Sequence, residues 1–238
     1  MRETLIQGHI KIQEVWMAEG KSSARAGDIL RIARERNIPV RFKKNAELTQ
    51  ILPDVAHQGI IGFAGRFAYS DFERMIEFSL RNEDQALLIA ADHITDEGNL
   101  GALIRTGAFF GANGLIFPKK RSARVSANVL KRSSGAYVYL PIARVVNMVR
   151  ALDHLKRKGF WIIGTSSESP ASIYSFDWRR DLVLVFGSEQ RGLSRSVRER
   201  CDMMVSIPSS GYLDSLNVGV AAGVVLSEIF RQRNLQGP

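Results

Sequence analysis

Cysteine is almost missing from this chain: Cys201 stands alone in 238 residues, which excludes an internal disulfide framework and any zinc site built from several thiolates. The four histidines, His9, His57, His93 and His154, are scattered without ligand spacing, so no metal is expected. Long apolar runs are lacking as well. The uncharged stretches 106–118 and 215–227 are too short to span a bilayer, and no N-terminal signal pattern is visible, which fits a protein of the reducing cytoplasm. Two nucleotide-binding fingerprints are also absent. There is no Gly-x-Gly-x-x-Gly, and Gly192 is followed by Leu193 and Ser194 where a phosphate-binding P-loop needs Lys and then Ser or Thr. The last absence is local: from Gly98 to Leu152 no Asp or Glu occurs, while Arg105, Lys119, Lys120, Arg121, Arg124, Lys131, Arg132, Arg144 and Arg150 do.

A run of like charge is commonly just a solvated face, but one so long and free of counter-charges suits phosphate groups. The whole chain agrees, with a net charge of +9 and a pI near 10.0, for which RNA, DNA and an acidic membrane surface are the physical candidates. Hydrophobic residues make up 45%, the content of a folded protein, and the length admits one large domain or two modest ones.

Periodicity divides the chain. A strand at Ile12–Ala18, an amphipathic helix over 24–37, a strand over 38–42, a short helix over 46–52 stopped by Pro53 and a strand over 59–64 predict a small α/β/α domain over 1–66. Residues 67–82 read as a linker and connecting helix that Ser70 could cap, and 83–238 as a second domain. That domain opens on a continuously apolar, parallel strand at 86–91. The loop after it, 92–98, lies at the strand's C-terminal side, where α/β proteins place their chemistry. A helix is expected from about Asn99, another over 145–158, and central strands over 160–165 and 181–186. Arg105 sits among Leu103, Ile104, Ala108 and Phe109, where it either packs its stem beside a surface ion pair or meets a functional partner. On a helix it points about 120° away from Asn99, so the two line adjoining faces.

The stretch 207–226 would be strange as mere packing. Pro208 and Gly211 break a strand over 203–207, and Ser215 stands in N-cap position before a helix without charge until Glu228. Ser215, Leu216 and Asn217 would then bring free N–H groups and polar side chains to one spot, although an ordinary capped core helix explains the same pattern.

Three blocks occur in order: Asn99-Leu-Gly-Ala-Leu-Ile-Arg105-Thr-Gly-Ala, Leu184-Val-Phe-Gly187-Ser-Glu189-Gln-Arg-Gly192-Leu-Ser, and the stretch 207–226. Together they closely resemble the three signature motifs of the SpoU (TrmH-type) RNA ribose 2′-O-methyltransferases, a branch of the knotted SPOUT class. The resemblance is strong over 84–233. Ser133-Ser-Gly-Ala-Tyr137 resembles the family's small-residue segment between its first two motifs. The first domain resembles more loosely the ribosomal-protein-like RNA-binding domain that precedes the catalytic one. His57-Gln-Gly59 matches there, and the lead-in before Ile12 is shortened.

The resemblance implies a parallel sheet holding a trefoil knot, against general topology statistics. It implies a homodimer, which an apolar helix over 215–231 also favours. S-adenosylmethionine would be cupped by Gly164, Thr165, Gly187, Ile207 and Leu216, the glycines letting backbone approach a flat ligand. Arg105 would supply charge and a bidentate grip on phosphate rather than accept a proton. Asn99 would position the ribose or phosphate, Ser215 and Asn217 would orient the arginine or the cofactor, and Glu189 would steady the loops. RNA would run over Lys119, Lys120, Arg121, Arg124, Lys131 and Arg132. Gly107, Gln190 and Ser209 depart from the usual Ala, Gly and Met without removing a catalytic-type side chain. The two-domain layout resembles the 23S ribosomal-RNA guanosine branch more than the shorter transfer-RNA enzymes. The expected substrate is therefore 23S rRNA, with tRNA second and a non-catalytic RNA-binding protein as the rival reading.

Overall fold

The computed structural model describes residues 4–5, 11–20, 24–53, 57–81 and 85–234. Most of the lead-in before Ile12, residues 1–3 and 6–10 with His9, and the first residues expected of the second domain, 83 and 84, lie outside them. The chain divides into two compact units, Met1–Ala68 and Tyr69–Pro238.

The first unit is built on β1 (Ile12–Ala18), which lies between β2 (Val40–Lys43) and β3 (Ile60–Ala64). Val15 pairs in parallel with Val40, and Trp16 pairs antiparallel with Ile61. Alternation along β1 sends Val15 and Met17 to one face and Trp16 and Ala18 to the other. Helix α1 (Ala24–Glu35) buries Ala26, Ile29, Ile32 and Ala33 at helical spacing. Helix α2 (Asn45–Ile51) seats Leu48 against Ala18 and Ile61, with Trp16, Leu52 and Phe63 around them. This is the expected α/β/α unit. His57-Gln-Gly59 forms its last turn: Gln58 and Gly59 both take positive φ, and Gly59 N–H donates to His57 Nδ1 at 3.0 Å.

The second unit is a six-stranded, all-parallel sheet in the order β6-β5-β4-β8-β7-β9. Its strands are β4 (Leu87–Ala91), β5 (Gly114–Pro118), β6 (Ile142–Val145), β7 (Trp161–Thr165), β8 (Leu182–Phe186) and β9 (Met203–Val205). Every residue of β4 and β8 is buried, as continuous apolar runs demand of strands covered on both faces. The helices are α3 (Phe72–Ser79), α4 (Glu97–Phe109), α5 (Ala127–Arg132), α6 (Met148–Arg157), α7 (Arg195–Arg198) and α8 (Val218–Asn234). Met75 and Ile76 of α3 join Leu152 and Leu155 of α6 over Leu88, Ile116 and Val183. Burying each such side chain contributes on the order of 2 kcal/mol. Helix α4 packs beside α5 and α8. Among the described residues, no helix is long and apolar enough to cross a membrane.

Several boundaries differ from the expectation. The helix expected to connect the domains, α3, is built into the second unit's core, and its cap is Asp71, which accepts from Arg74 N–H, instead of Ser70. Helix α4 begins two residues before Asn99, capped by Asp96. Residues at the start of the helix expected over 145–158 form the end of β6 and a cap at Asn147. Ser215 is not the N-cap of the last helix. That position belongs to Asn217, whose Oδ1 accepts from Gly219 N–H at 2.9 Å and Val220 N–H at 3.4 Å, while Ser215 is exposed three residues before the helix. Either residue type can cap; tertiary bonds to the Asn217 side chain decide between them.

Candidate active site at the C-terminal edge of the sheet

All six strands of the second unit point the same way, so the loops that follow them gather along one edge, and the chain reverses its sheet order between β4 and β8. The loop after β4 is fastened there by Asp92, whose side chain is fully buried. Its Oδ1 meets His93 Nδ1 at 2.6 Å, and its Oδ2 accepts from Ser194 N–H at 2.8 Å, tying the β4 loop to the β8 loop. A buried carboxylate is tolerated when its acceptors are filled in this way.

At the end of the β8 loop, Glu189 Oε1 accepts three hydrogen bonds, from Asn99 Nδ2 at 3.0 Å, Asn217 Nδ2 at 2.6 Å and Val218 N–H at 3.3 Å. Asn217 Nδ2 also donates to Asn99 Oδ1 at 2.8 Å. A carboxylate only accepts, so it fixes which end of each amide faces it, and one charge orients two side chains. The same charge lies against the first N–H of α8, where a helix favours an anion. Residues from the three sequence blocks thus meet at a single oxygen atom.

Arg105 is exposed and stands apart from this network. Its Nη1 donates to Ser134 Oγ at 3.2 Å. Ser134 has φ of 52°, next to Gly135 at 89°, a left-handed turn in the small-residue segment that presents the hydroxyl to the arginine. The cations Lys119, Lys120, Arg121 and Arg124 are on the β5–α5 connection, and Lys131 and Arg132 are exposed on the last turn of α5. Arg144 of the same acid-free stretch is used structurally: Nη2 donates to Lys119 O at 2.7 Å and the guanidinium lies over Tyr69.

The residues expected around a cofactor lie at the ends of β7, β8 and β9. Thr165 Oγ1 donates to Val185 O at 3.1 Å, fixing the β7 end to β8. Ile207 is half-buried, and Leu216, Leu213 and Tyr212 of the following loop are 44%, 74% and 91% exposed. A Cβ on Gly187 would overlap the backbone of Gly192 and Leu193, and one on Gly164 would lie 2.5 Å from Met204 Sδ and 2.8 Å from Cys201 Sγ. At both positions the chain packs closely on itself. Burial pushes the neighbouring Cys201 thiol up to about 11, which marks it as packing rather than a nucleophile.

A cleft of about 620 Å³ opens beside the Glu189 network, lined by Asp96, Glu97, Asn99, Asn128, Arg132 and Asn217 among others. Sequence reasoning missed Glu97 and Asn128, whose Nδ2–Oε2 bond of 3.0 Å joins α4 to α5 outside any motif. Among the described residues, no group of three or more His, Cys, Asp and Glu is placed to hold a metal ion.

Comparison with known proteins places this geometry. A family model described as the SpoU rRNA methylase family matches residues 86–227, and one described as RNA 2′-O ribose methyltransferase substrate binding matches 2–70. The chain is 32% identical over 227 residues to YacO of Bacillus subtilis (strain 168), assigned to the TrmH family of tRNA/rRNA methyltransferases, covering 95% of this chain and 91% of YacO. The SpoU methyltransferase AviRb from Streptomyces viridochromogenes, solved in complex with AdoMet, superposes with a TM-score of 0.80 at 25% identity, over 97% of this chain and 86% of AviRb. The A. aeolicus TrmH/SpoU tRNA-modifying enzyme is 30% identical with a TM-score of 0.58, over 68% of this chain and 82% of its own.

Proposed function

The chain belongs to the SpoU methylase family and is an RNA ribose 2′-O-methyltransferase, and from that premise we propose that it acts in the cytoplasm on 23S ribosomal RNA with S-adenosylmethionine as donor. The observation that carries the reading is the convergence of Asn99, Glu189 and Asn217 on one carboxylate oxygen at the C-terminal edge of the sheet. The choice of ribosomal RNA rests on the two-unit layout, since the A. aeolicus tRNA-modifying enzyme matches only 68% of this chain.

The residues present fit an adenosyl cofactor. Exposed Leu213 and Leu216 and half-buried Ile207 offer apolar cover for a flat base beside the half-buried end of β7 at Thr165. When bound, the sulfonium supplies the methyl group and a good leaving group. The protein's part is orientation and charge. Asn99 and Asn217, held in one amide orientation by Glu189, position the reacting ribose. Arg105 grips a phosphate through its fork and keeps its positive charge beside the developing alkoxide, and its guanidinium does not act as base. The basic residues 119–132 carry the flanking RNA. Ser215, on the loop before α8, belongs to the cofactor cover. The knotted passage expected of the family would lie in the loops that follow β7, β8 and β9 at this edge.

The active form is a homodimer. Phe109, Tyr139, Val220 and Phe230 are 79%, 53%, 53% and 40% exposed on or beside α4 and α8, and Phe110 bridges Phe109 and Phe230 at ring distances of 4.9 and 6.1 Å. An apolar surface of this kind is the expected seat of a second copy. Light scattering at micromolar concentration checks it, a monomer mass being the adverse result. The function itself is tested by transfer of labelled methyl from S-adenosylmethionine to 23S rRNA and tRNA transcripts. Label in tRNA alone reverses the substrate, and RNA binding without any label leaves a non-catalytic binder.

A further inference from the structure

Ser134 stands at φ 52°, where glycine is at ease and serine is not, yet the chain places its glycine only at the next position, Gly135, with φ 89°. A serine kept in such a conformation points to a task for its side chain. The turn that carries it is firmly held. Ser134 N–H donates to Lys131 O at 2.9 Å and Ala136 N–H to Ser133 O at 3.0 Å, while the buried Ser133 turns its own hydroxyl back onto Leu130 O at 2.8 Å. Helix α4 is drawn against this turn at Gly101, where a Cβ would lie 2.5 Å from Arg132 Cβ and 3.3 Å from Ser133 N. Arg105 follows Gly101 by four residues and lies on the same face, one helical turn further along. The close approach at Gly101 therefore brings the guanidinium within reach of the Ser134 hydroxyl.

The contact itself is selective. Ser134 Oγ accepts from Arg105 Nη1 at 3.2 Å, and Arg105 Nε and Nη2 have no acceptor among the described residues. Nε and Nη2 share one edge of the guanidinium, on which an oxyanion is held side-on by two parallel bonds. We propose that Ser134 is a positioning residue for Arg105: by taking Nη1 it sets the plane of the guanidinium and leaves the Nε/Nη2 edge open for the RNA phosphate. The inference rests on the function proposed above, in which Arg105 grips a phosphate. Without the hydroxyl, Arg105 keeps its charge, but its fork is free to turn and the substrate must stop it. Ser134 lies outside the three motif blocks, and its role follows from the turn that aims it.

Two substitutions separate the hydroxyl from the backbone. Ser134→Gly suits the left-handed conformation and removes only the side chain, whereas Ser134→Asn tolerates the same conformation and returns an acceptor oxygen. Nitrogen-15 NMR of the Arg105 guanidinium, assigned by its loss in Arg105→Lys, reads the contact without any substrate. Rotation about the Cζ–Nη1 bond should be slow in the wild type, fast in Ser134→Gly and slow again in Ser134→Asn. In labelled-methyl transfer, kcat should fall about fivefold in Ser134→Gly and recover in Ser134→Asn, with no loss of melting temperature in either. In an Arg105→Ala background, Ser134→Gly should cost nothing more, because nothing is left to position. Equal rotation in the wild type and Ser134→Gly, or a loss of transfer that persists in Arg105→Ala, overturns the proposal. A wild type that transfers no methyl sinks the proposed function instead, and the rotation rates still decide whether Ser134 holds the arginine.

Discussion

Asn99 and Arg105 share one helix and one sequence block, and the fold treats them in opposite ways. Asn99 has both ends of its amide engaged within the chain, by Glu189 and by Asn217. Arg105 has a single neutral acceptor, Ser134 Oγ, and no ion pair among the described residues. The first is a finished piece of geometry. The second has a charge and most of its donors left over, as a group does whose partner arrives from outside. Six residues along α4 therefore separate a side chain that the protein holds in place from one whose donors are largely left over.

That contrast can be broken most sharply at Arg105. Arg105→Lys keeps the charge but loses the planar fork, and labelled-methyl transfer should fall on the order of 10²-fold, while calorimetric titration with S-adenosylmethionine stays near normal. Near-wild-type transfer would return Arg105 to the ordinary surface cations, and lost cofactor binding would move it into the cofactor pocket. The melting temperature should not change. At Asn217 the opposite pattern is expected. Asn217→Ala removes a helix cap and both donors to the network, costing about 1–2 kcal/mol and a few degrees of melting temperature along with activity. An unchanged thermal scan would mean that the network does not hold α8.

A smaller effect separates the basic loop from the network. Replacing Lys120 and Arg121 by Ala should reduce the salt dependence of RNA binding by about 0.7 log units per tenfold salt for each phosphate no longer neutralised, whereas Asn99→Ala should leave the slope alone. Equal slopes in a filter-binding series would remove the loop from the RNA path. The smallest effect lies away from both regions. The Cys201 thiol is held at about 11 against an ordinary 9.0, chiefly by burial, so the folded chain keeps its proton while the unfolded chain loses it. Its contribution to stability is whole below pH 9 and shrinks as pH rises toward 11. The difference in melting between wild type and Cys201→Ala should narrow over that window, and iodoacetamide should label the native thiol slowly at pH 8.

Much of this was legible in the residues themselves. Continuous apolar runs marked β4 and β8 because strands buried on both faces have no polar side to show. Asn99, Glu189 and Asn217 were legible as parts of three blocks, and their meeting at one oxygen follows from parallel strands ending at one edge. The choice of Asn217 over Ser215 as cap was not legible, since two good capping residues stand two apart and a bond from 28 positions away decides between them. Strands β5 and β6 were hidden inside an acid-free stretch that reads first as charge. Gly107 looked like a departure from a family pattern. A Cβ there would sit 2.7 Å from Ile89 Cδ1, so the glycine lets α4 settle close onto β4. The Glu97–Asn128 pair bridges 31 positions with no motif on either side, and only the fold brings it together.

The three residues that meet at Glu189 Oε1 are separated along the chain by 90 and 28 positions, and the last of them caps α8. During synthesis, the cations of 119–132 leave the ribosome well before Asn217 does. A nascent chain can therefore adhere to nearby RNA while it still lacks the residue that closes its network. On the RNA path proposed above, binding then comes before competence, and a fragment that stops short of α8 would keep the cations of 119–132 without the residue that closes the network.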